Sequence, residues 1–252
     1  MFEADDVLVY TVEDGVAWLR LNRPDQLNAC SPELYGKVKT ALRLAEADES
    51  VDTIVMTGTG RAFCSGGDLK SFLERITSGD TMQWWEMHDA VPLDTLRNVR
   101  KPTICAINGI CLAAGNAFAV LSDISIAVES ATFGFPEVRN GFAESHAPRL
   151  MFGRVSFAKM KYYLLTGQRM SAAEAERIGM ITEVVPDDKL MERVREVVSQ
   201  LRETSLEAKA LYKEFTNRLM PQLDWVDLYR GIETKEMVSY LEQFAAGTRK
   251  KI

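Results

Sequence analysis

Residues 103–122 read TICAINGICLAAGNAFAVLS and carry the pattern that decides the predicted fold. The apolar run at 103–109 is typical of a fully buried strand, and the small residues LAAG (112–115) form a turn before a helix that ends near Ser122. The next run, DISIAVE (123–129), predicts a further short strand. Strands that alternate with helices in this way predict a parallel sheet with helices on its faces.

The N-terminal part of the chain predicts a hairpin followed by a helix. Two β-type runs, residues 7–12 and 16–21, flank the turn residues EDG (13–15). Ser31 is placed to cap the next helix, with Pro32 at its first helical position. Helical spacing puts one apolar set on a common, buried face: Leu34, Val38, Ala41, Leu42 and Ala45.

The later part of the chain changes from mixed to mostly helical. A buried strand is predicted at 53–58, and a helical stretch runs from about Asp68 to Arg100 with a break near residues 78–80. Beyond about Gly153 one more strand is predicted, at 181–185. The rest of that part predicts helices at 156–165, 171–178, 187–202, 205–219 and 222–246.

Bulk composition excludes several classes of protein. The 252-residue chain has a net charge of −6 and a pI near 5.2, which argues against a nucleic-acid or anionic-membrane partner. No apolar run approaches the roughly 20 residues of a membrane span, and the acidic N-terminus lacks a signal-peptide core. Four cysteines without CxxC spacing and only two histidines argue against a metal site. We therefore expect a cytoplasmic protein with reduced, buried cysteines.

Two glycine-rich turns are candidates for ligand binding. AFCSGGDL (62–69) and NGICLAAGNAF (108–118) each lie between a predicted strand and a predicted helix. Free N–H groups at two such turns can converge on one oxygen, which is the geometry of an oxyanion hole for a thioester carbonyl. Each turn alone could equally serve tight helix packing, and no phosphate-binding GxxxxGK[ST] or GxGxxG pattern is present.

Five stretches together resemble the crotonase superfamily of enoyl-CoA hydratases and isomerases, in the order of that family. They are LNRPDQLNAC (21–30), TGTGRAFCSGGDLKSF (57–72), KPTICAINGICLAAGNAFAVLSD (101–123), ATFGFPEVRNG (131–141) and YYLLTGQRMSAAEAERIGMITEVVP (162–186). The resemblance implies an α/β fold, a ClpP-like spiral of ββα units over residues 1–195. It also implies a C-terminal helical region over 196–252 that assembles a homotrimer, or a hexamer made of two trimers.

The resemblance also implies the ligand and the residues around it. The ligand is a thioester of coenzyme A or of an acyl carrier, with no separate cofactor. The oxyanion hole is implied to use the N–H groups of Gly67 and Ala114, while the turn at 62–68 also lies against the adenine end of the coenzyme. The implied substrate-binding positions on the two turns are Ala62, Cys64, Ser65, Gly66, Asp68, Leu69, Ala113, Gly115 and Ala117.

One acid that hydratases of this family typically carry is missing. The family's second glutamate matches Glu137, but Ala117 stands at the position of the first. Hydration needs two acid–base groups, whereas one carboxylate can carry a proton between two carbons. We therefore expect double-bond isomerisation or a related enolate step. Without the resemblance, Glu137 would be interpreted as an ordinary acid paired with Arg139 or Arg149.

Two alternatives remain open. The loop NGFAESHAPRL (140–150) departs from the family pattern and brings Glu144 and His146 near the predicted site. Either could replace the missing acid in a diverged hydratase, or both could cap the following helix or face solvent. The other alternative is an acyl-CoA-binding homologue without catalysis.

A pair of aromatic residues is a candidate for the acyl pocket. Trp84 and Trp85 lie in MQWWEMHDA (82–90), which matches a variable helix over the acyl pocket in the family. Their large apolar surface could shape a cyclic or branched acyl site, or they could belong to a helix that faces the core.

Overall fold

The computed structural model describes residues 6–78, 91–232 and 234–248. Its N-terminal elements are β1 (Leu8–Glu13), β2 (Val16–Leu21), α1 (Pro32–Ala47), β3 (Thr53–Gly58), β4 (Ala62–Cys64), α2 (Leu69–Ser78) and α3 (Leu93–Asn98). The middle of the chain forms β5 (Thr103–Ile107), β6 (Ile110–Leu112), α4 (Ala114–Leu121), β7 (Ile124–Val128), β8 (Thr132–Gly134), α5 (His146–Met151) and α6 (Phe157–Thr166).

The rest of the chain contains two short strands and several helices. These are β9 (Met170–Ser171), α7 (Ala172–Arg177), β10 (Glu183–Val185), α8 (Leu190–Arg202), α9 (Leu206–Asn217), α10 (Trp225–Ile232) and α11 (Lys235–Ala245). Short 3-10 helices cover Pro24–Gln26, Pro136–Asn140 and Asp187–Lys189. No helix in these described ranges is long and apolar enough to cross a bilayer.

The strands form two sheets that wind together. The larger sheet has the order β1-β2-β3-β5-β7-β10 and is parallel except for the β1–β2 hairpin. The smaller sheet has the order β4-β6-β8-β9, with only β8 and β9 antiparallel. Each of the pairs β3–β4, β5–β6 and β7–β8 therefore gives one strand to each sheet, so the chain advances as a spiral of repeated units. This is the predicted α/β architecture.

Local sequence signals account for much of this layout. The Oγ of Ser31 accepts the N–H of Leu34 at 3.2 Å, which caps α1 as predicted. The buried residues of α1 are the five predicted ones: Leu34, Val38, Ala41, Leu42 and Ala45. The four cysteines are buried thiols, also as predicted. Periodicity and capping were therefore sufficient to predict this helix and its buried face.

The helical stretches were predicted to be longer than they are. The predicted helix at 222–246 is two helices, α10 and α11, because Thr234 caps α11 through the N–H of Met237. Of the stretch predicted at 68–100, the described parts are helical at α2 and α3. The predicted boundary between the spiral core and the C-terminal helical region, at residues 195–196, falls within the continuous helix α8. That boundary stays a prediction.

A small apolar cluster lies apart from the main core. Leu228, Met237 and Leu241, from the last two helices, are buried together there. Leu69 and Phe72 of α2 and Phe142 pack against them. The C-terminal helices therefore reach back over the segment that follows the first glycine turn.

Candidate active site

The first glycine turn is held by strand-like pairing to residues 27–30. The Gly66 carbonyl accepts the Cys30 N–H at 2.8 Å, and the Asp68 N–H donates to the Cys30 carbonyl at 3.0 Å. In such parallel pairing the peptide groups of the residue between them, Gly67, point away from Cys30. Gly67 also lines a cavity.

The second turn meets the first directly. Gly66 has φ of +115°, and a Cβ built there would lie 2.8 Å from the Cβ of Ala113. Ala113 itself has φ of 51° and ψ of −115°, a costly conformation for a residue with a side chain. It places Ala114 at the first position of α4, where the N–H has no acceptor within the helix. The two predicted oxyanion donors therefore lie on adjoining turns.

A cavity of about 720 Å³ extends from these turns. The predicted residues that line it are Glu137, Gly67, Ala114, Glu144, His146, Ser65, Asp68, Leu69, Ala113 and Ala117. Ala62 and Cys64 are instead buried in β4, and Gly66 and Gly115 pack against Ala113 and Cys64. These four residues therefore pack beneath the two turns, where strand β4 and the start of helix α4 approach each other closely. Trp84 and Trp85 lie outside the described residues.

Glu137 is a buried carboxyl group directed into the cavity. It lies in the 3-10 helix Pro136–Asn140, only 5% exposed, and within the described ranges its Oε2 has no hydrogen-bond partner. Burial, and secondly the negative charge of Glu144, raise its pKa to about 8. Its pairing with nearby arginines is not observed, because Arg139 donates to the Thr166 carbonyl and Arg149 contacts Asp224 and Asp227.

Glu144 caps helix α5 and also lines the cavity. Its Oε1 accepts the N–H of His146 at 3.0 Å and its Oε2 accepts the N–H of Ala147 at 2.6 Å. The Nδ1 of buried His146 lies 3.2 Å from the same Oε1. Burial raises the pKa of Glu144 to about 7, although the two N–H groups and Arg149 oppose this rise. Glu144 therefore caps α5 and lines the cavity as well, while His146 does not face solvent.

The C-terminal helices fix the loop that carries Glu144. The Ala143 N–H donates to the Gly231 carbonyl at 3.1 Å, and the Ser145 Oγ donates to the Asp224 carbonyl at 3.2 Å. A Cβ at Gly231 would lie 1.9 Å from the Ala143 oxygen, so only glycine permits this approach. The position of Glu144 consequently depends on residues about 80 to 90 positions later in the chain.

Several residues of the cavity were missed by the sequence reasoning. Two cations line it, Arg23 and Lys70, and Arg23 contacts Asp68 at 2.8 Å. Arg23 belongs to the LNRP stretch, so a search for basic residues within the matched stretches would have found it. The apolar wall formed by Phe142, Leu228, Met237 and Phe244 has no local sequence signal. Within the described ranges, no cluster of His, Cys, Asp and Glu could hold a metal ion.

Three known proteins that resemble this chain in sequence or in fold act on CoA thioesters, according to their names. A family model described as enoyl-CoA hydratase/isomerase matches residues 11–247. A probable enoyl-CoA hydratase of Rhizobium meliloti (strain 1021) is 35% identical over 218 residues, covering 84% of this chain and 82% of that one. A hydroxycinnamoyl-CoA hydratase-lyase of Pseudomonas fluorescens is 31% identical, covering 78% and 71%. A solved enoyl-CoA hydratase/isomerase from Xanthobacter autotrophicus Py2 superimposes with a TM-score of 0.81 at 27% identity, covering 96% and 94%.

Proposed function

Because the chain belongs to the enoyl-CoA hydratase/isomerase family, we propose that it moves a double bond within an acyl-CoA thioester, with Glu137 as its only proton carrier. The observation that carries this proposal is the buried Glu137 carboxyl group, whose Oε2 has no partner in the described part of the chain. Ala117 lines the same cavity and offers only a methyl group where a second acid would stand. A single mobile proton is sufficient for isomerisation but not for addition of water.

The proposed reaction proceeds through an enolate. The thioester oxygen accepts the N–H groups of Gly67 and Ala114, which stabilises negative charge as it develops. Glu137 removes the α-proton of a 3-enoyl thioester, and the C–H electron pair forms a dienolate. The protonated Glu137 then returns the same proton to the γ-carbon, so the double bond moves into conjugation and no proton is gained or lost. Arg23 and Lys70 line the same cavity, and their positive charge supports binding of the anionic groups of the coenzyme there.

Hydration remains a second candidate because Glu144 lines the cavity with Glu137. In that reaction Glu144 would activate water while Glu137 protonates the α-carbon. The backbone N–H groups of His146 and Ala147 count against it, since they stabilise the ionised form of Glu144 and make it a weaker base. The names of the relatives include hydratases, which favours keeping this candidate in the test.

The experiment compares two substrates and two variants. Wild type is given a 3-enoyl-CoA and, separately, a 2-enoyl-CoA, and the conjugated thioester is followed by its ultraviolet absorbance. We expect the first substrate to gain absorbance and the second to remain unchanged. Glu137→Gln should abolish the gain, whereas Glu129→Gln, the same substitution at an exposed position, should retain it. Rapid hydration of the 2-enoyl-CoA, or full isomerisation by Glu137→Gln, would refute the proposal.

We also propose that the protein assembles as a homotrimer or as two stacked trimers. Apolar side chains are exposed on two helices of the C-terminal half and just after the second: Phe157, Tyr162 and Leu165 on α6, Tyr212 and Phe215 on α9, and Leu219 in the turn that follows α9. Such surfaces are typical of interfaces between subunits. Sedimentation equilibrium should give three or six times the 28.3 kDa chain mass, and a monomer at micromolar concentration would contradict the proposal.

A further inference from the structure

The second carboxyl group of the cavity is held differently from the first. Glu144 accepts one backbone N–H at each of its oxygens, at 3.0 and 2.6 Å, and His146 Nδ1 lies 3.2 Å from Oε1. The Oε2 of Glu137 has no partner within the described ranges. Proton uptake by a carboxylate that accepts N–H groups weakens those charge-assisted bonds, whereas Glu137 Oε2 has none to weaken. The two acids are therefore not equivalent as proton carriers.

The loop that carries Glu144 is also held by contacts on both sides of this residue. Arg149 contacts Asp224 at 3.3 Å and Asp227 at 3.0 Å, which ties α5 to α10. The Ala143 N–H bonds the Gly231 carbonyl of α10 on the other side of Glu144. With both flanks attached to one helix, the carboxyl group has little freedom to move toward a substrate.

Glu144 lines the same cavity as Glu137, and its negative charge raises the pKa of Glu137. The other titratable groups that line the cavity are Arg23, Asp25, Tyr35, Asp68, Lys70 and His146. Helices α6 and α11 pack against the 3-10 helix of Glu137, and their charged residues do not line the cavity: Lys159, Lys161, Lys235, Glu236 and Glu242. After burial, repulsion by Glu144 is the largest cause of the raised pKa of Glu137.

We propose that Glu144 is a positioning residue, a carboxylate fixed by the start of α5 and by α10, whose charge acts on Glu137 while it exchanges no proton with the substrate. This inference rests on the proposed function, in which Glu137 carries the proton. The charge of Glu144 makes Glu137 a stronger base, because a neighbouring negative charge favours the protonated form of Glu137. A stronger base is better matched to the weakly acidic α-proton of a thioester.

The test is the pH profile of kcat for a 3-enoyl-CoA. Isomerisation requires ionised Glu137, so kcat should rise with pH and level off above the pKa of that group. In Glu144→Gln the rising limb should move to lower pH by about one unit, because the repulsion is lost. The plateau should fall only about threefold, since a weaker base removes the proton more slowly. A loss of about 10²–10⁴-fold at every pH would mean that Glu144 itself transfers a proton, and would overturn the inference.

A matched control separates charge from position. Asp25 lines the same cavity on an exposed 3-10 helix, and Asp25→Asn removes the same charge. Its pH limb should coincide with that of wild type, whatever its effect on KM. An equal shift in Asp25→Asn would show that any carboxylate of the cavity acts alike, which contradicts a specific role for Glu144.

A second measurement does not depend on the folding of the Glu144 variant. Coupling between two acids is reciprocal, so Glu137→Gln must lower the titration midpoint of Glu144 as far as Glu144 raises that of Glu137. Infrared difference spectra against pH report protonated carboxyl groups and can follow Glu144 in Glu137→Gln without turnover. An unmoved midpoint would refute the inference. Full isomerisation by Glu137→Gln would instead refute the proposed function, so the two failures are distinguishable.

Discussion

Replacement of Glu137 by glutamine should make the fold less sensitive to alkaline pH. The pKa of Glu137 is an ordinary 4.5 in the unfolded chain and rises to about 8 in the folded protein. Each pKa unit corresponds to 1.36 kcal/mol, so ionisation of the buried group costs up to about 5 kcal/mol of folding free energy. The folded chain binds the extra proton between these values, and stability therefore falls as pH rises from about 4.5 through about 8. Glu137→Gln removes this loss.

The assay is urea unfolding at a series of pH values from 5 to 9, followed by circular dichroism. The quantity compared is the difference in unfolding free energy between Glu137→Gln and wild type at each pH. The glutamine amide of the variant contributes the same amount to that difference at every pH. The carboxyl group of wild type contributes an amount that changes with pH. We expect the difference to shift in favour of the variant by several kcal/mol between pH 5 and pH 9.

A difference that stays constant over this range would refute the reasoning. It would mean that Glu137 ionises in the folded protein as easily as in the unfolded chain, and that the cavity is well hydrated at this point. The raised pKa would then be incorrect, and with it the view of Glu137 as a strong base. Ligand-free protein should be used, because a bound thioester would itself change the hydration of the cavity.

Three further predictions concern other parts of the fold. Glu174 has its pKa lowered to about 2 by its basic neighbours, so Glu174→Gln should reduce unfolding free energy at pH 7 but not at pH 2, where wild type has also lost this contribution. Gly115→Ala should destabilise the fold by about 1–3 kcal/mol in urea and lower kcat, because its Cβ would lie 2.5 Å from the Cys64 carbonyl oxygen beneath the second turn. Lys213→Met should cost about 1–3 kcal/mol in the same assay, because it leaves the Asp123 carboxylate without the amine that lies 2.8 Å away; an unchanged midpoint would contradict this.

Features that depend on nearby residues could be predicted from the sequence. The hairpin, the capped helix α1 and the turn before α4 each rest on signals within about five residues. Such features follow from periodicity and turn chemistry, which act over short distances along the chain. The role of Glu137 was implied only by the resemblance of its stretch to the family, because the stretch alone favoured an ordinary acid paired with an arginine.

Features that depend on distant residues could not be predicted. Both the capping role of Glu144 and its place in the cavity were open alternatives, and contacts from Asp224 and Gly231 now explain how its loop is held. The cavity wall from Leu228 and Met237 lies about 90 to 100 residues beyond Glu137. No periodic pattern reveals which face of a C-terminal helix returns to a turn so far away.

The last helices supply part of the cavity wall, and this affects how the protein folds during synthesis on the ribosome. Strands β3 to β8 and their glycine turns are complete once residue 134 has emerged. The wall of the cavity still requires Leu228, Met237 and Phe244. A nascent chain can therefore form the β3 to β8 part of both sheets long before it can enclose an acyl group, and the thioester cannot assist the early stages of folding. A ligand that this wall holds can stabilise the newly made protein only after residue 244 has emerged.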